Sequence, residues 1–201
     1  DLQKTIFDGI DLSGKDLSAT SFWYASFKNT NLEDVNLYSA DFMKTDLTKI
    51  KNKSLAGADL TSASFFLANL SGVNLSDVVL TGTNFLRTEL VGVDFTATEP
   101  IGVIFALSTL TTSNFEGVDM SPREFYSESF ENKSHLAPKQ EDIESGDFNQ
   151  SKFVGEVFGN VLDNIHVTSI TVSGNDLDLE YIFINNFTYA NLENANFKNA
   201  S

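Results

Sequence analysis

A large apolar residue recurs at every fifth position over most of this chain. Leu or Phe occupies each such position from Leu2 to Leu47, three additional residues follow, and the count resumes at Leu55. Apart from Pro100 and one Met, the series then continues to Phe130. A period of five matches neither the helix nor the strand, so neither template explains it. A short period sustained along a chain predicts a solenoid with one continuous core.

Grouping these positions by twenty sorts Phe into columns. If the extra residues near Ile50–Lys53 bulge out, one column contains Phe22, Phe42, Phe65, Phe85, Phe105 and Phe125, and its neighbour contains Phe27, Leu47, Leu70, Leu90, Leu110 and Phe130. A third contains Leu12, Leu32, Leu55, Leu75, Phe95 and Phe115. Stacking of identical side chains on successive turns favours such sorting, because aromatic rings pack well when offset along an axis. The pattern predicts turns of twenty residues.

The residues before each Leu or Phe fit the same interpretation. A small residue stands two positions earlier, as in Ala40, Ala58 and Ala68, and leaves room for the large side chain inside a narrow coil. Asp, Asn or Ser stands one position earlier, and these side chains bond nearby backbone N–H groups at turns. We therefore expect them at the corners.

The units Ala40–Lys44, Thr45–Lys49, Ala58–Ser62 and Ala68–Gly72 resemble the repeat of the pentapeptide-repeat family, A(D/N)LXX. The resemblance covers residues 1–130 and returns at Asn185–Ser201. It implies an all-β fold, a right-handed quadrilateral β-helix with four pentapeptides in each turn. Counting the weaker units as well, we expect about nine coils, roughly 40 Å in length at the spacing of β-ladders.

The repeat is uneven along the chain. Residues 1–130 are predicted to form the regular β-helix, 131–147 an insertion loop, and 148–201 an irregular continuation of the same β-helix. Insertions in solenoids map to surface loops and often lie on the binding face. The loop therefore supplies the candidate partner-binding residues, which are Glu131, Lys133, His135, Lys139, Glu141, Asp142 and Glu144.

Composition narrows the function by exclusion. The net charge of −15 excludes direct nucleic-acid binding. Cysteine is absent, the two His residues stand far apart, and no phosphate loop or metal-ligand spacing occurs. We therefore expect no enzyme activity, cofactor, metal or small-molecule substrate. No apolar run is long enough to span a membrane.

The leading functional hypothesis is a non-catalytic protein-interaction scaffold. Solenoids need polar caps, and neither end here provides a capping helix, so we expect a domain cut from a larger protein. Related β-helices occur at the front of bacterial secreted effectors, where they recognise partners or substrates, so a cytoplasmic or a secreted location stays open. The alternative hypothesis is DNA mimicry, in which the acidic rod binds DNA gyrase and inhibits or protects it. The identity of the partner and the oligomeric state stay open.

Overall fold

A computed structural model describes residues 1–120, 125–130, 165–173, 176–183, 185, 187 and 189–200. They fall into two units, one formed by Asp1–Ser121 with Asn185–Ser201 and the other by Pro122–Ile184. The first unit is a coil without long strands, whose turns are joined by isolated parallel β-bridges. Four columns of bridges occur in each turn of about twenty residues, so the coil has four sides.

Each pentapeptide of the first unit ends in a tight turn. The carbonyl of the large apolar residue accepts a hydrogen bond from the N–H three residues later, as Phe7 O does from Ile10 N at 3.0 Å. Two turn residues follow the large apolar residue, and the second of them has positive φ. Gly adopts this conformation without strain, and Gly9 occupies the position here. The residue before the large one accepts the N–H two positions on, as Asp41 does from Met43 N at 2.9 Å. The prediction of Asp, Asn and Ser at the corners is confirmed.

The interior consists of stacked side chains. Phe22, Phe42, Phe65, Phe85 and Phe105 are fully buried. Their neighbouring rings are stacked, with centroids 4.9 to 5.6 Å apart. The small residues beside them, such as Ala63 and Ala68, are buried too. The predicted columns and the inward small residues are therefore confirmed up to Phe105.

The extra residues near Ile50 form the predicted bulge. Lys51–Lys53 make one 3-10 turn, and Asn52 within it has φ of 55°. Ile50 stays buried in the core while the three bulge residues are exposed. Because the bulge absorbs three residues, Asp46 pairs with Asn69 and the columns stay in phase.

Buried hydroxyl groups join successive turns. Thr88 occupies an inward small position, is fully buried, and donates from Oγ1 to Phe65 O at 2.7 Å. Thr83 and Ser113 make the equivalent bonds to Leu60 O and Leu90 O. Other buried hydroxyl groups, such as that of Thr98, donate to the carbonyl three residues earlier in the same turn. These polar side chains are tolerated in the core because each of the hydroxyl groups named here reaches a backbone carbonyl.

Thr88→Val is expected to lower the free energy of unfolding by about 1 kcal/mol, the net contribution of one hydrogen bond. Val keeps the shape of Thr, so the loss reports the bond to Phe65 O. Urea unfolding measures it, with Thr96→Val, at an exposed turn position, as the control. Equal midpoints for both variants would contradict a stabilising role for the buried hydroxyl.

The described residues of the second unit form three antiparallel strands, β1 (Phe125–Phe130), β2 (Ile165–Ser173) and β3 (Asp176–Phe183). Their order in the sheet is β1-β3-β2. Phe125 pairs with Ile182 at one end of the β1–β3 ladder, and Ile165 pairs with Phe183 in the β2–β3 ladder. A register irregularity lies between Val167 and Ser169.

These strands correct the prediction that the coil runs to residue 130, and that residues 165–173 and 176–183 belong to its irregular continuation. The predicted continuation over residues 148–164 lies outside the described residues. Phe125 and Phe130 lie in β1 and pair with β3, so they do not continue the two columns assigned to them. The antiparallel partner of β1 lies about 50 residues later in the chain, and a five-residue period contains no information about such pairing.

The residues that extend the columns come from the C-terminal segment. Phe187 stacks on Phe105 at 4.7 Å, and Phe197 stacks on Phe115 at 4.8 Å. Thr109 forms a parallel bridge with Asn191, as Asn114 does with Asn196. The predicted return of the repeat at the C-terminus is thus confirmed for residues 190–200. The longest bridge column among the described residues has seven layers, which are Ile6, Ser26, Asp46, Asn69, Glu89, Thr109 and Asn191. The expectation of nine coils counted the residues of β1, β2 and β3 as coil.

Candidate functional site: an apolar and cationic corner

The seven candidate residues predicted from the sequence lie outside the described residues. Glu131, Lys133, His135, Lys139, Glu141, Asp142 and Glu144 all fall between β1 and β2. Their role as a partner-binding loop stays a prediction. The site described here belongs to the first unit alone.

The described residues offer little for catalysis. They contain no cluster of His, Asp and Glu that could hold a metal ion. Hydrogen bonds from the side chain and backbone of Ser13 lower the pKa of Asp11, and Ser18 lowers the pKa of Asp16 in the same way. Both carboxylates are exposed turn residues, and a lowered pKa keeps them ionised. These shifts reflect the chemistry of the turns.

One corner of the coil differs from the others in carrying large side chains. It follows the buried column of Phe22, Phe42, Phe65, Phe85 and Phe105, and we call it the corner column. It consists of the two turn residues after each of these. The first turn residues are Trp23, Met43, Phe66, Leu86 and Ala106, and the second are Tyr24, Lys44, Leu67, Arg87 and Leu107, with Lys4 and Tyr189 in the outer layers.

Backbone hydrogen bonds place these residues above one another. Tyr24 N donates to Met43 O at 3.2 Å, Lys44 N to Phe66 O at 3.0 Å, and Arg87 N to Ala106 O at 3.0 Å. Each layer therefore contributes one apolar residue to a continuous line from Trp23 to Ala106, about 19 Å long at the spacing of β-ladders.

The second turn residues of the corner column are exposed. Tyr24 keeps 51% of its surface, Leu67 41%, Leu107 44% and Tyr189 85%. The first turn residues beside them, such as Phe66 and Leu86, are half-buried. The next corner carries mainly small or polar residues at the first turn position, which are Asp8, Lys28, Thr48, Ser71, Val91, Thr111 and Glu193. Scattered exposed apolar residues are ordinary, but an apolar line confined to one corner is unusual for a surface that faces only water.

Cations alternate with apolar residues along the corner column. Lys4, Lys44 and Arg87 stand two layers apart at the second turn position, and no Asp or Glu occupies either turn position of this corner. The Lys44 ammonium donates to the Tyr24 hydroxyl at 2.9 Å and lies 5.3 Å from the centre of the Tyr24 ring. Tyr24 thus holds the ammonium against the column.

A shallow depression extends from the corner column onto the adjoining face. Its volume is about 390 Å³, and Tyr24, Lys28, Lys44, Asp46 and Lys49 are among the residues that line it. Three lysines and Asp46 line it, and the Asp8 carboxylate accepts hydrogen bonds from Ser26 Oγ and Lys28 N beside it. The lysines outnumber the two carboxylates, so the surface is locally positive on a chain of net charge −15. Such a surface attracts anionic groups.

Two unpaired polar atoms lie in the layer of Phe22, one of them in the corner column. Within the described residues, Trp23 Nε1 and Ser21 Oγ are buried and have no hydrogen-bond partner. Leaving a buried donor unpaired costs stability.

Sequence reasoning missed the corner column although its signal is present in the sequence. The twenty-residue columns described above contain only the inward positions, which Leu and Phe occupy. The same grouping of the positions directly after the inward Phe residues gives Trp23, Met43, Phe66 and Leu86. These residues are apolar, whereas an ordinary surface would carry polar residues there.

Comparisons with known proteins identify the class. The family model described as Pentapeptide repeats matches eight copies, in residues 1–34, 10–48 and 58–96. Residues 1–48 and 58–96 therefore carry pentapeptide repeats, and proteins built from such repeats are right-handed quadrilateral β-helices. No curated protein matches the chain.

Similar solved structures are pentapeptide repeat proteins. HetL from the cyanobacterium Nostoc sp. strain PCC 7120, involved in heterocyst differentiation regulation, is 21% identical, with 61% of this chain and 65% of HetL covered and a TM-score of 0.37. A protein of the Arabidopsis thaliana thylakoid lumen is 24% identical, with 59% and 68% covered and a TM-score of 0.28. Rfr23 from the cyanobacterium Cyanothece 51142 is 13% identical, with 92% and 86% covered and a TM-score of 0.29. The chain thus spans somewhat less than two thirds of HetL.

Among the residues that the structure describes, no helix has the length and apolarity needed to cross a bilayer.

Proposed function

We propose that this protein is a non-catalytic interaction scaffold that binds a protein partner through the corner column. The observation that carries the proposal is the half-buried apolar line from Trp23 to Leu86, one residue per layer, together with the exposed apolar residues beside it, which are Tyr24, Leu67 and Leu107. The core is complete without it, because the buried Phe column already fills the interior. An apolar line that the fold does not need is accounted for by contact with another molecule.

A rigid coil suits this role. Backbone bonds join each turn to the next throughout the described coil, so the corner column keeps one shape. A surface that is already ordered loses little conformational entropy on binding, which favours affinity. The predicted loop at 131–147 is a second candidate surface of the same scaffold, possible members being the seven residues named above.

DNA mimicry is the weaker hypothesis. A duplex mimic requires an evenly negative surface, whereas the corner column carries Lys4, Lys44 and Arg87 without an acid at its turn positions. The adjoining depression adds Lys28 and Lys49.

The test is affinity purification of the tagged protein from its native cells, with quantitative mass spectrometry. Phe66→Ser combined with Leu86→Ser is expected to reduce recovery of the partner at least tenfold, because the apolar contact area is lost. Val91→Ser, at an exposed site on another corner, is the control and should change nothing. Thermal unfolding verifies that each variant is folded.

A deletion of residues 131–147 separates the two candidate surfaces. Loss of the partner from this deletion alone assigns binding to the loop and contradicts the corner column. Recovery of identical protein sets from all variants would overturn the scaffold proposal.

A further inference from the structure

We propose that the partner segment seated on the corner column is an acidic amphipathic α-helix of another protein, with its axis along the coil. This inference rests on the proposed function and adds the chemistry and geometry of the partner. It is drawn from the charges, the layer spacing and the hydrogen bonding of the corner.

The charges select an acidic partner. Lys44 and Arg87 flank the line of Met43, Phe66 and Leu86, and the depression beside it contributes Lys28 and Lys49. Asp46 is the acid among its lining residues. A carboxylate-rich segment gains attraction here, whereas a basic segment leaves cations facing cations.

The layer spacing selects a helix. Layers of the coil follow one another at about 4.8 Å, close to the helix pitch of about 5.4 Å. A helix laid along the corner therefore brings one apolar side chain per turn against one apolar residue per layer. The side chains on one face of an extended strand repeat at about 6.6–6.8 Å and would lose register after one or two layers.

Backbone hydrogen bonding excludes strand addition at this corner. Lys4 N, Tyr24 N and Lys44 N already donate to carbonyls of the next layer. Strand addition requires free N–H and C=O groups at a sheet edge. Recognition of an apolar helix face requires only side chains, which the corner provides.

The same spacing sets the positions of the acids. Lys44 and Arg87 stand two layers apart, about 9.6 Å, and helix residues separated by seven positions stand about 10.5 Å apart. The partner is therefore expected to carry Asp or Glu at positions i and i+7 beside its apolar stripe.

Three synthetic peptides of about six helical turns test this chemistry. The first carries a Leu stripe with Glu on both sides and Ala elsewhere. The second replaces every Glu by Lys, and the third keeps the composition of the first with the Leu positions shuffled. Each is labelled with fluorescein and titrated with the full chain, with anisotropy as the readout at low and high NaCl concentration.

The first peptide is expected to bind at least about tenfold more tightly than either of the others. Its affinity should fall as salt screens the cations. Lys44→Glu combined with Arg87→Glu should weaken it about tenfold or more, while Lys15→Glu, at an exposed lysine away from the corner column, should leave it unchanged.

Equal affinity for the acidic and basic peptides overturns the charge argument, and equal affinity for the shuffled peptide overturns the helix geometry. A second copy of this chain could also occupy the corner column, and sedimentation velocity tests this by measuring whether the chain dimerises. A dimer that Leu86→Ser abolishes would assign the corner column to a second copy and overturn the acidic helix. A different experiment tests the proposed function. That proposal is contradicted if the Phe66→Ser and Leu86→Ser double variant recovers as much partner from cells as the unchanged chain. If the Phe66→Ser and Leu86→Ser double variant loses the partner but the chain binds all three peptides equally, only the acidic helix is disproved.

Discussion

Phe65→Ala is expected to lower the free energy of unfolding by about 3–5 kcal/mol. Phe65 is fully buried and stacks on Phe42 at 5.1 Å and on Phe85 at 5.3 Å. Removing the ring leaves a void, and backbone bonds above and below hold the layers apart. Phe65 N itself donates to Asn84 O at 2.8 Å. The coil cannot collapse onto the void, so the cost falls at the upper end of the range for such substitutions.

The chain supplies a matched control in the next residue. Phe66 is half-buried at the corner column, so Phe66→Ala removes the same group from the outside and should cost about 1 kcal/mol or less. Urea unfolding of both variants measures the difference in midpoint. Similar midpoints would contradict the assignment of Phe65 to the interior and Phe66 to the surface.

Deletion of residues 122–183 is expected to leave the β-helix folded, with a melting temperature close to that of the full chain. Asn114 and its bonded neighbour Asn196 stand 82 positions apart, whereas a regular turn has about 20, so 62 residues are additional. The deletion removes that number and restores the period. The Asn185 amide group already bonds Pro100 O at 2.7 Å and Met120 O at 3.2 Å, so the C-terminal segment is docked where the coil would continue.

Amide hydrogen exchange provides a local measurement of this deletion. Leu110 N and Phe115 N donate to Asn191 O and Asn196 O, both at 2.7 Å. Their protection should persist after the register-matched deletion. A deletion of residues 122–182 leaves one residue too many, shifts Phe187 and Phe197 off their columns, and should abolish the protection of both amides. Loss of protection in both deletions would show that the C-terminal layer depends on the second unit.

The corner column, the binding surface that we propose, has a signal in the sequence that is easily missed. Its residues repeat with the same period as the core, but they stand one position later, where a five-residue motif allows almost any side chain. Their alignment depends on knowing that successive layers are bonded directly, as Tyr24 N is to Met43 O. Without that knowledge, Trp23, Met43 and Phe66 are three unrelated apolar residues. The loop hypothesis at 131–147 drew on the opposite signal, a loss of period, and stays a prediction.

The sequence by itself determined the coil, its corners, its inward columns and the bulge at Lys51–Lys53. These features are local, because each five-residue unit carries its own small residue, turn former and large apolar residue, and stacking repeats the same contacts. Only the tertiary structure decided which residues form the last layers. Phe125 matched the column by spacing, but it pairs with Ile182 in a sheet, and Phe187 stacks on Phe105 in its place. The reason is that pairing between distant segments depends on the free energy of contacts that a local period does not contain.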